Sequence, residues 1–278
     1  MNVLYCGDAN MRDGLIISIL SLIRNVKEEL NIYVFTMEYN THKKQYKGIS
    51  QESIYYLDEI VKRANNESFV KKIDITDLFM KEPPNKNLRT FFTPYCMLRL
   101  FADEVPDMPD KILYLDTDTI CRKDITDFYH QDIEEYEFAG VLDYYGRWFF
   151  RNNFFKFDYI NSGVLLLNLK KIKQTGLFKK SRERCRKKNM LMPDQSALNK
   201  IAVSKKFWPR KYNEQRRLHN DTVIQHFTTS FRLFPVFHTF TVKPWEIEKV
   251  HRKMHIYEYD DLLDEYLRIK DEIEKIAV

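Results

Sequence analysis

The chain has 278 residues, enough for one large α/β domain or one domain with a small C-terminal appendage. Apolar residues make up 44% and charged residues 31%, in runs spread evenly along the chain, which excludes a disordered protein, and seven glycines exclude a collagen-like or glycine-rich linker architecture. The net charge of +5 suits anionic partners such as nucleotides, anionic lipids or nucleic acid, without choosing among them.

Residues 2–6 (NVLYC) read as a buried strand ending in the polar loop Gly7-Asp8-Ala9-Asn10. Residues 13–26 carry apolar positions at helical spacing, and residues 31–36 (NIYVFT) form a second strand. Residues 50–65 follow as a helix with Ser50 as its N-cap, and residues 69–75 as a third strand. A helix is predicted over 93–104 and the strongest strand over 111–116 (KILYLD). This alternation argues for a mostly parallel sheet with helices on both faces. In the less regular second half, strands are expected at 137–142, 159–169 and 222–227. Helices are expected at 170–189, 193–203 and 258–276.

The four cysteines, Cys6, Cys96, Cys121 and Cys185, show neither CxxC pairing nor zinc spacing, and read as reduced structural thiols. No basic region followed by an apolar stretch opens the chain, and no run of about 18 apolar residues occurs. The expectation is a cytoplasmic protein, or one peripheral on the inner face of the membrane.

In open α/β sheets ligands bind beyond the carboxyl ends of strands, which directs attention to Asp116-Thr117-Asp118 after the run KILYL. Side chains two apart on extended backbone point the same way, so two carboxylates stand side by side at a strand mouth. Like charges that close need a counter-ion or a proton, and a hard divalent cation such as Mn²⁺ or Mg²⁺ supplies the first while also taking diphosphate oxygens. A bare Asp-x-Asp more often marks a solvated loop. Here the pair is wedged between KILYL and the apolar start of TICRKDITDF, which argues against a surface loop.

The segments MNVLYCGDAN, MLRLFADEVPDMPDKILYLDTDTI, YINSGVLLLNLKK, PDQSALN, VIQHF and VKPW together resemble the successive blocks of the family 8 retaining glycosyltransferases, in family order over residues 1–245. The resemblance implies a GT-A fold, with residues 1–245 as the catalytic domain and 246–278 as a C-terminal helical extension. It implies hexosyl transfer from a UDP-sugar, glucose or galactose, to a saccharide, glycolipid or cell-surface glycan acceptor, with Mn²⁺ or Mg²⁺ as cofactor. By the same resemblance, Asp116 and Asp118 match the metal-binding pair, and Asp8 and Asn10 the loop that contacts uracil and ribose. Arg99 matches an arginine near the nucleotide-sugar, and Asn161, Ser162 and Gly163 the block lining the donor sugar. Asp194 and Gln195 match residues beside the transferred sugar, Asp143 one near donor or acceptor, and Lys243 a lysine that grips the diphosphate.

The residues themselves leave some of these open. Arg99, among Met97, Leu98 and Leu100, needs an anionic partner, and Asp103 four residues on is an equal alternative. The third metal ligand implied by the family is a histidine six residues before the lysine. His226 lies 17 residues before Lys243 in a well-matched strand, whereas His238 lies five before it with a poorer local match. His226 is preferred, with 228–242 as an inserted loop. The basic residues between Lys170 and Lys188 read as a solvated face or as contact with an anionic membrane. A nucleic-acid module has only that run in its favour and leaves Asp116 and Asp118 unexplained, so no nucleic acid is expected. By the resemblance the group facing the reacting carbon is the amide of Gln195, a poor nucleophile, which favours front-face transfer over double displacement.

Overall fold

A computed structural model describes residues 1–40, 45–88, 93–146, 158–232 and 238–276, with backbone alone for 231, 232, 238 and 276. In chain order the elements are β1 (Asn2–Cys6), α1 (Arg12–Asn25), β2 (Asn31–Thr36), a small hairpin of β3 (Tyr39–Asn40) and β4 (Gln45–Tyr46), α2 (Gln51–Ala64), β5 (Phe69–Asp74) and α3 (Thr76–Lys81). A 3₁₀ helix over Pro94–Phe101 precedes β6 (Lys111–Leu115), β7 (Thr119–Cys121), α4 (Thr126–Tyr129) and β8 (Phe138–Leu142). Then come β9 (Ile160–Asn168), α5 (Leu169–Thr175), α6 (Leu177–Lys187), α7 (Pro193–Ile201), β10 (Lys205–Phe207), β11 (Ile224–His226), β12 (Ser230–Arg232), β13 (His238–Phe240) and α8 (Asp260–Ile276).

The main sheet has seven strands in the order β10-β8-β9-β6-β1-β2-β5. All run parallel except β9, which is antiparallel to both β6 and β8. The expected mostly parallel α/β architecture is present. Alternating side chains feed two cores, one on each face. Val3, Tyr5, Leu113, Leu115, Val164 and Leu166 join α1 on one face, and Leu4, Ile112, Tyr114, Leu165 and Leu167 join the 3₁₀ helix and α5–α7 on the other.

Strand polarity positions the site. The carboxyl ends of β1, β6 and β8 share one rim, so Asp8, Asp116 and Asp143 follow neighbouring strands there. Because β9 is reversed, its amino end lies at the same rim, with Val164 opposite Leu115 and the Asp116 N–H donating to Gly163 O at 2.8 Å. Outside the main sheet, β7 and β11 pair antiparallel, which sets His226 opposite Thr119 and beside the Asp116–Asp118 turn.

Two helices differ from expectation. The segment 93–104 makes a 3₁₀ helix, and the basic stretch 170–189 is two helices broken at Gly176, whose φ of 68° is left-handed and open to glycine at little cost. Nor is that stretch wholly solvated. Arg182 is buried against Asp103 (2.6 Å), Glu104 and Glu82 (3.7 Å), so Asp103 is not the partner of Arg99. The supposed inserted loop 228–242 contains the β12–β13 hairpin, whose connection lies outside the described residues.

The terminal helix α8 joins the core of β1 and α1 through Leu262, Leu263, Tyr266, Ile269 and Ile273, at helical spacing. Three ion pairs flank this seam: Arg24–Glu265, Arg12–Glu274 and Lys270–Asp13. Burying each of those side chains is worth about 1.5–3 kcal/mol, against about 0–1 kcal/mol for each exposed pair, so packing decides the attachment. Among the described residues no helix is long and apolar enough to cross a membrane.

Candidate active site

Asp116, Asp118 and His226 offer ligand atoms that all lie within 4.8 Å of one another. His226 Nε2 stands 3.2 Å from Asp118 Oδ1 and 3.6 Å from Asp116 Oδ2. Its Nδ1 meets Asn213 Oδ1 at 3.1 Å, which fixes the ring plane. Of the two candidate histidines, His226 is therefore the one seen at the carboxylate pair; the side chain of His238 lies outside the described residues. Gly163 is what lets imidazole and carboxylate close up, since a Cβ there would sit 2.1 Å from His226 Cε1 and 2.7 Å from Asp116 Oδ2.

Each member of this cluster is held from behind. Tyr114, two residues before Asp116 and on the same side of β6, donates its hydroxyl to Asp116 Oδ1 at 2.6 Å. Arg99, 2% exposed, donates from Nη2 to the same oxygen at 3.0 Å, from Nε to Cys96 O at 2.9 Å and from Nη1 to Ser162 O. Its guanidinium stacks 3.8 Å from the Tyr114 ring centre, and Nε is 3.4 Å from Asp194 Oδ2. Lys243 donates from Nζ to Asp118 Oδ2 and to Phe227 O at 3.3 Å.

The titration shifts follow from this packing. Burial by itself would raise the Asp118 carboxyl, but the Lys243 ammonium and His226 outweigh it and hold the group below its ordinary range. Burial would lower His226, yet Asp118 and Asp116 win and its pKa is raised; Lys243 is raised by the same carboxylates against the same opposing burial.

Next to the cluster, the amide network is closed. Asp143 Oδ2 accepts from Asn161 Nδ2 (2.9 Å) and Gln195 Nε2 (3.0 Å), and Oδ1 from the N–H groups of Tyr145 (3.0 Å) and Gly146. Gln195 Oε1 in turn accepts from Ser162 N (2.9 Å) and Oγ (3.2 Å), and Asp194 Oδ2 from Ser162 Oγ (3.1 Å). Asn161 Oδ1 accepts from Gly163 N and Asn213 Nδ2, both at 2.9 Å. Both oxygens of the Asp143 carboxylate are thus occupied by donors, and an amide engaged at both ends is a poor nucleophile.

Two adjoining cavities open on these residues and share Cys96, Arg99, Asp116, His226, Thr228 and Thr229. One, of about 250 Å³, is lined by Asp143, Asn161, Ser162, Gly163, Asp194 and Gln195. The other, of about 310 Å³, is lined by Met11, Asp118, Lys243 and Trp245 among others. Two expected residues stand apart. Asp8 is buried and spends its carboxylate on Asn10 N (3.0 Å) and Nδ2 (3.2 Å), capping the turn Ala9–Met11, and neither Asp8 nor Asn10 lines either of these two cavities; Met11 lines the second.

Residues 2–248 match the profile described as Glycosyl transferase family 8. The chain belongs to this family. Among curated family 8 relatives, the lipopolysaccharide 1,3-galactosyltransferase of Salmonella typhimurium is 26% identical over 239 residues, covering 80% of this chain and 67% of that protein. The lipopolysaccharide 1,2-glucosyltransferase of Escherichia coli K12 is 25% identical over 229 residues, covering 77% and 62%. The chain thus spans 62% to 71% of the length of the curated relatives that match most of it. Among solved structures, the galactosyltransferase LgtC in complex with donor and acceptor sugar analogues superposes with a TM-score of 0.67 at 20% identity, over 96% of this chain and 95% of that one. That likeness makes the fold a GT-A fold.

Around this cluster and its cavities, the sequence reading missed Tyr114, Asn213, Gln215 and Met192. Tyr114 was findable, as the residue two before Asp116 on one strand face. Asn213 was not, because it precedes β11 in irregular chain with no periodicity to place it.

Proposed function

We propose that this chain transfers a glucosyl or galactosyl group from a UDP-sugar to a hydroxyl of a saccharide, glycolipid or cell-surface glycan, with retention of anomeric configuration. The observation that carries this is the convergence of Asp116, Asp118 and His226 beside two adjoining cavities of about 250 and 310 Å³. Two carboxylates and one imidazole within 4.8 Å are a donor set that fits Mn²⁺, with Mg²⁺ the harder alternative. Bound there, the ion would supply Lewis-acid stabilisation of the leaving diphosphate.

The chain's own residues do the remainder. Arg99 and Tyr114 lock Asp116 in place. Lys243, beside Asp118, presents a cation to the diphosphate oxygens. Asp194, Asn161 and Ser162 line the sugar pocket and orient the ring. Asp143 and Gln195 are saturated with hydrogen bonds, which disfavours a carboxylate base or a covalent intermediate. The reading is therefore attack from the leaving-group side: the bond from C1 to the diphosphate oxygen breaks, the acceptor oxygen bonds C1 on the same face, and its proton passes to the diphosphate.

The test is a screen of UDP-glucose and UDP-galactose with Mn²⁺, following product stereochemistry by NMR. An α-configured product, with loss of turnover in chelator and in Asp118→Ala, is expected. A β product, or turnover by Asp118→Ala in chelator, would refute the mechanism. For the membrane, the exposed Lys170, Lys173, Lys179, Lys180, Lys187 and Lys188 support contact with an anionic cytoplasmic surface. Equal sedimentation with neutral and anionic liposomes would end that part of the reading.

A further inference from the structure

The turn that carries the two carboxylates is tied down from beneath by groups that line neither of the two cavities. Asp116 O accepts from Thr119 N at 3.2 Å and from Thr119 Oγ1 at 2.8 Å, and Asp118 O accepts from Phe227 N at 2.9 Å. Thr119 Oγ1 also lies 3.2 Å from Ser18 Oγ, which in turn lies 2.9 Å from the Tyr5 hydroxyl. Tyr5 belongs to β1, Ser18 to α1 and Thr119 to β7, so hydroxyls from three elements form one file that ends on the backbone of the turn. All three residues are buried, and none of them lines either cavity. Helix α1 comes this near because residue 14 is glycine; a Cβ there would stand 2.6 Å from Thr117 O.

Proton counting fixes the direction of the file. A hydroxyl has one hydrogen to donate. Thr119 spends its hydrogen on Asp116 O, so Ser18 donates to Thr119 and Tyr5 donates to Ser18. Each bond polarises the next toward the Asp116 carbonyl. Packing alone would be met by Phe, Ala and Val at these positions, which keep the shapes and lose the hydroxyls. Because a buried hydrogen bond adds little net stability, what the file contributes is orientation. Thr119 also stands opposite His226 in the ladder of β7 and β11. One residue thus holds the carboxylate turn with its side chain and the histidine strand with its backbone.

We propose that Tyr5, Ser18 and Thr119 are positioning residues for the metal ion, holding the turn that aims Asp116 and Asp118 at His226. The proposal rests on the transferase reading and adds to it three residues that touch neither the ion nor the donor. Ser21, one turn further along α1, marks the limit of the device. Its Oγ accepts from Cys121 N at 2.8 Å and donates to Ser18 O at 2.7 Å, so it ties down β7 beyond the turn.

The experiment compares wild type with Thr119→Val, Ser18→Ala and Tyr5→Phe, with the conservative Thr119→Ser, and with Ser21→Ala as an equally buried control. Mn²⁺ affinity is measured by calorimetry in the presence of UDP, and stability by urea denaturation of the metal-free protein. Thr119→Val should lose about tenfold in Mn²⁺ affinity, the scale of a lost partner behind a metal ligand. Ser18→Ala should lose less and Tyr5→Phe least, in order of distance from the turn. Thr119→Ser should bind as wild type does, and Ser21→Ala should lose stability and keep its affinity. Wild-type affinity in folded Thr119→Val overturns the proposal, as does an affinity loss in Ser21→Ala equal to that in Ser18→Ala. Should Thr119→Val fail to fold, the comparison of Ser18→Ala with Ser21→Ala decides alone. Failure of wild type to bind Mn²⁺ with UDP present would instead overturn the metal-dependent transferase reading on which the proposal rests.

Discussion

Replacing Gly163 by Ala is the sharpest perturbation of the cluster. The added methyl would stand 2.1 Å from His226 Cε1, 2.7 Å from His226 Nδ1 and 2.7 Å from Asp116 Oδ2. Ordinary carbon contacts lie at 3.5–4.0 Å, so the imidazole and the carboxylate must each retreat by on the order of 1 Å. Overpacking of this kind costs about 1–3 kcal/mol of stability, and a misplacement of about 1 Å in a reacting constellation costs on the order of a hundredfold in rate. Gly140 serves as a control. A Cβ there would meet Ile160 Cγ2 at 2.6 Å and Leu165 Cδ2 at 2.9 Å, apolar methyls in place of the imidazole and the carboxylate. Urea denaturation, Mn²⁺ titration by calorimetry and donor hydrolysis would be read on both variants. Gly163→Ala should lose stability, metal affinity and turnover together, whereas Gly140→Ala should lose stability alone. If Gly163→Ala bound Mn²⁺ and turned over donor as wild type does, the close approach of His226 to Asp116 would not matter and the argument would fail.

Asp143→Asn should lower kcat by roughly 5- to 150-fold, the consequence of leaving one buried donor facing another at about 1–3 kcal/mol, without changing the shape of the pH–rate profile. Loss of the acid-side limb of that profile would mean that Asp143 is a general base after all. In metal-free protein, His226 has a raised pKa, so its charged form is favoured by folding. The stability difference between wild type and His226→Gln should be full below the ordinary histidine value of 6.5 and shrink as pH rises through the raised folded value, followed by thermal melts across that window; a difference growing with pH has the wrong sign. Arg182→Ala should destabilise by about 3–5 kcal/mol in urea, because it strands the Asp103 and Glu104 carboxylates beside a buried site.

The strand mouths were legible because a buried strand announces itself twice, in its apolar run and in the polar residues that follow. KILYL-Asp116 and EFAGVL-Asp143 both do so, and both carboxylates stand at the expected rim. Ser50 also caps α2 as expected, accepting from Ser53 N at 3.2 Å. What periodicity could not convey was pairing between distant segments. The strand expected at 222–227 contains β11, but the three residues of β7 are too short to register as alternation, and the ladder between the two is what delivers His226. The reversal of β9 is likewise silent in a run as uniformly apolar as GVLLL. The break at Gly176 and the burial of Arg182 were hidden because a basic helix reads as solvated unless its acidic partners, far off in sequence, are known.

The reversal of β9 has a temporal consequence. Its residues Asn161 to Gly163 follow β6 and β8 in the chain yet stand between them at the rim, and the last cationic group of the site, Lys243, comes later still in the sequence. No amino-terminal fragment released early from the ribosome carries a complete pocket. Donor turnover is therefore an assay for completed assembly of the whole sheet, and a nascent or truncated chain should be silent however well its first βα units have formed.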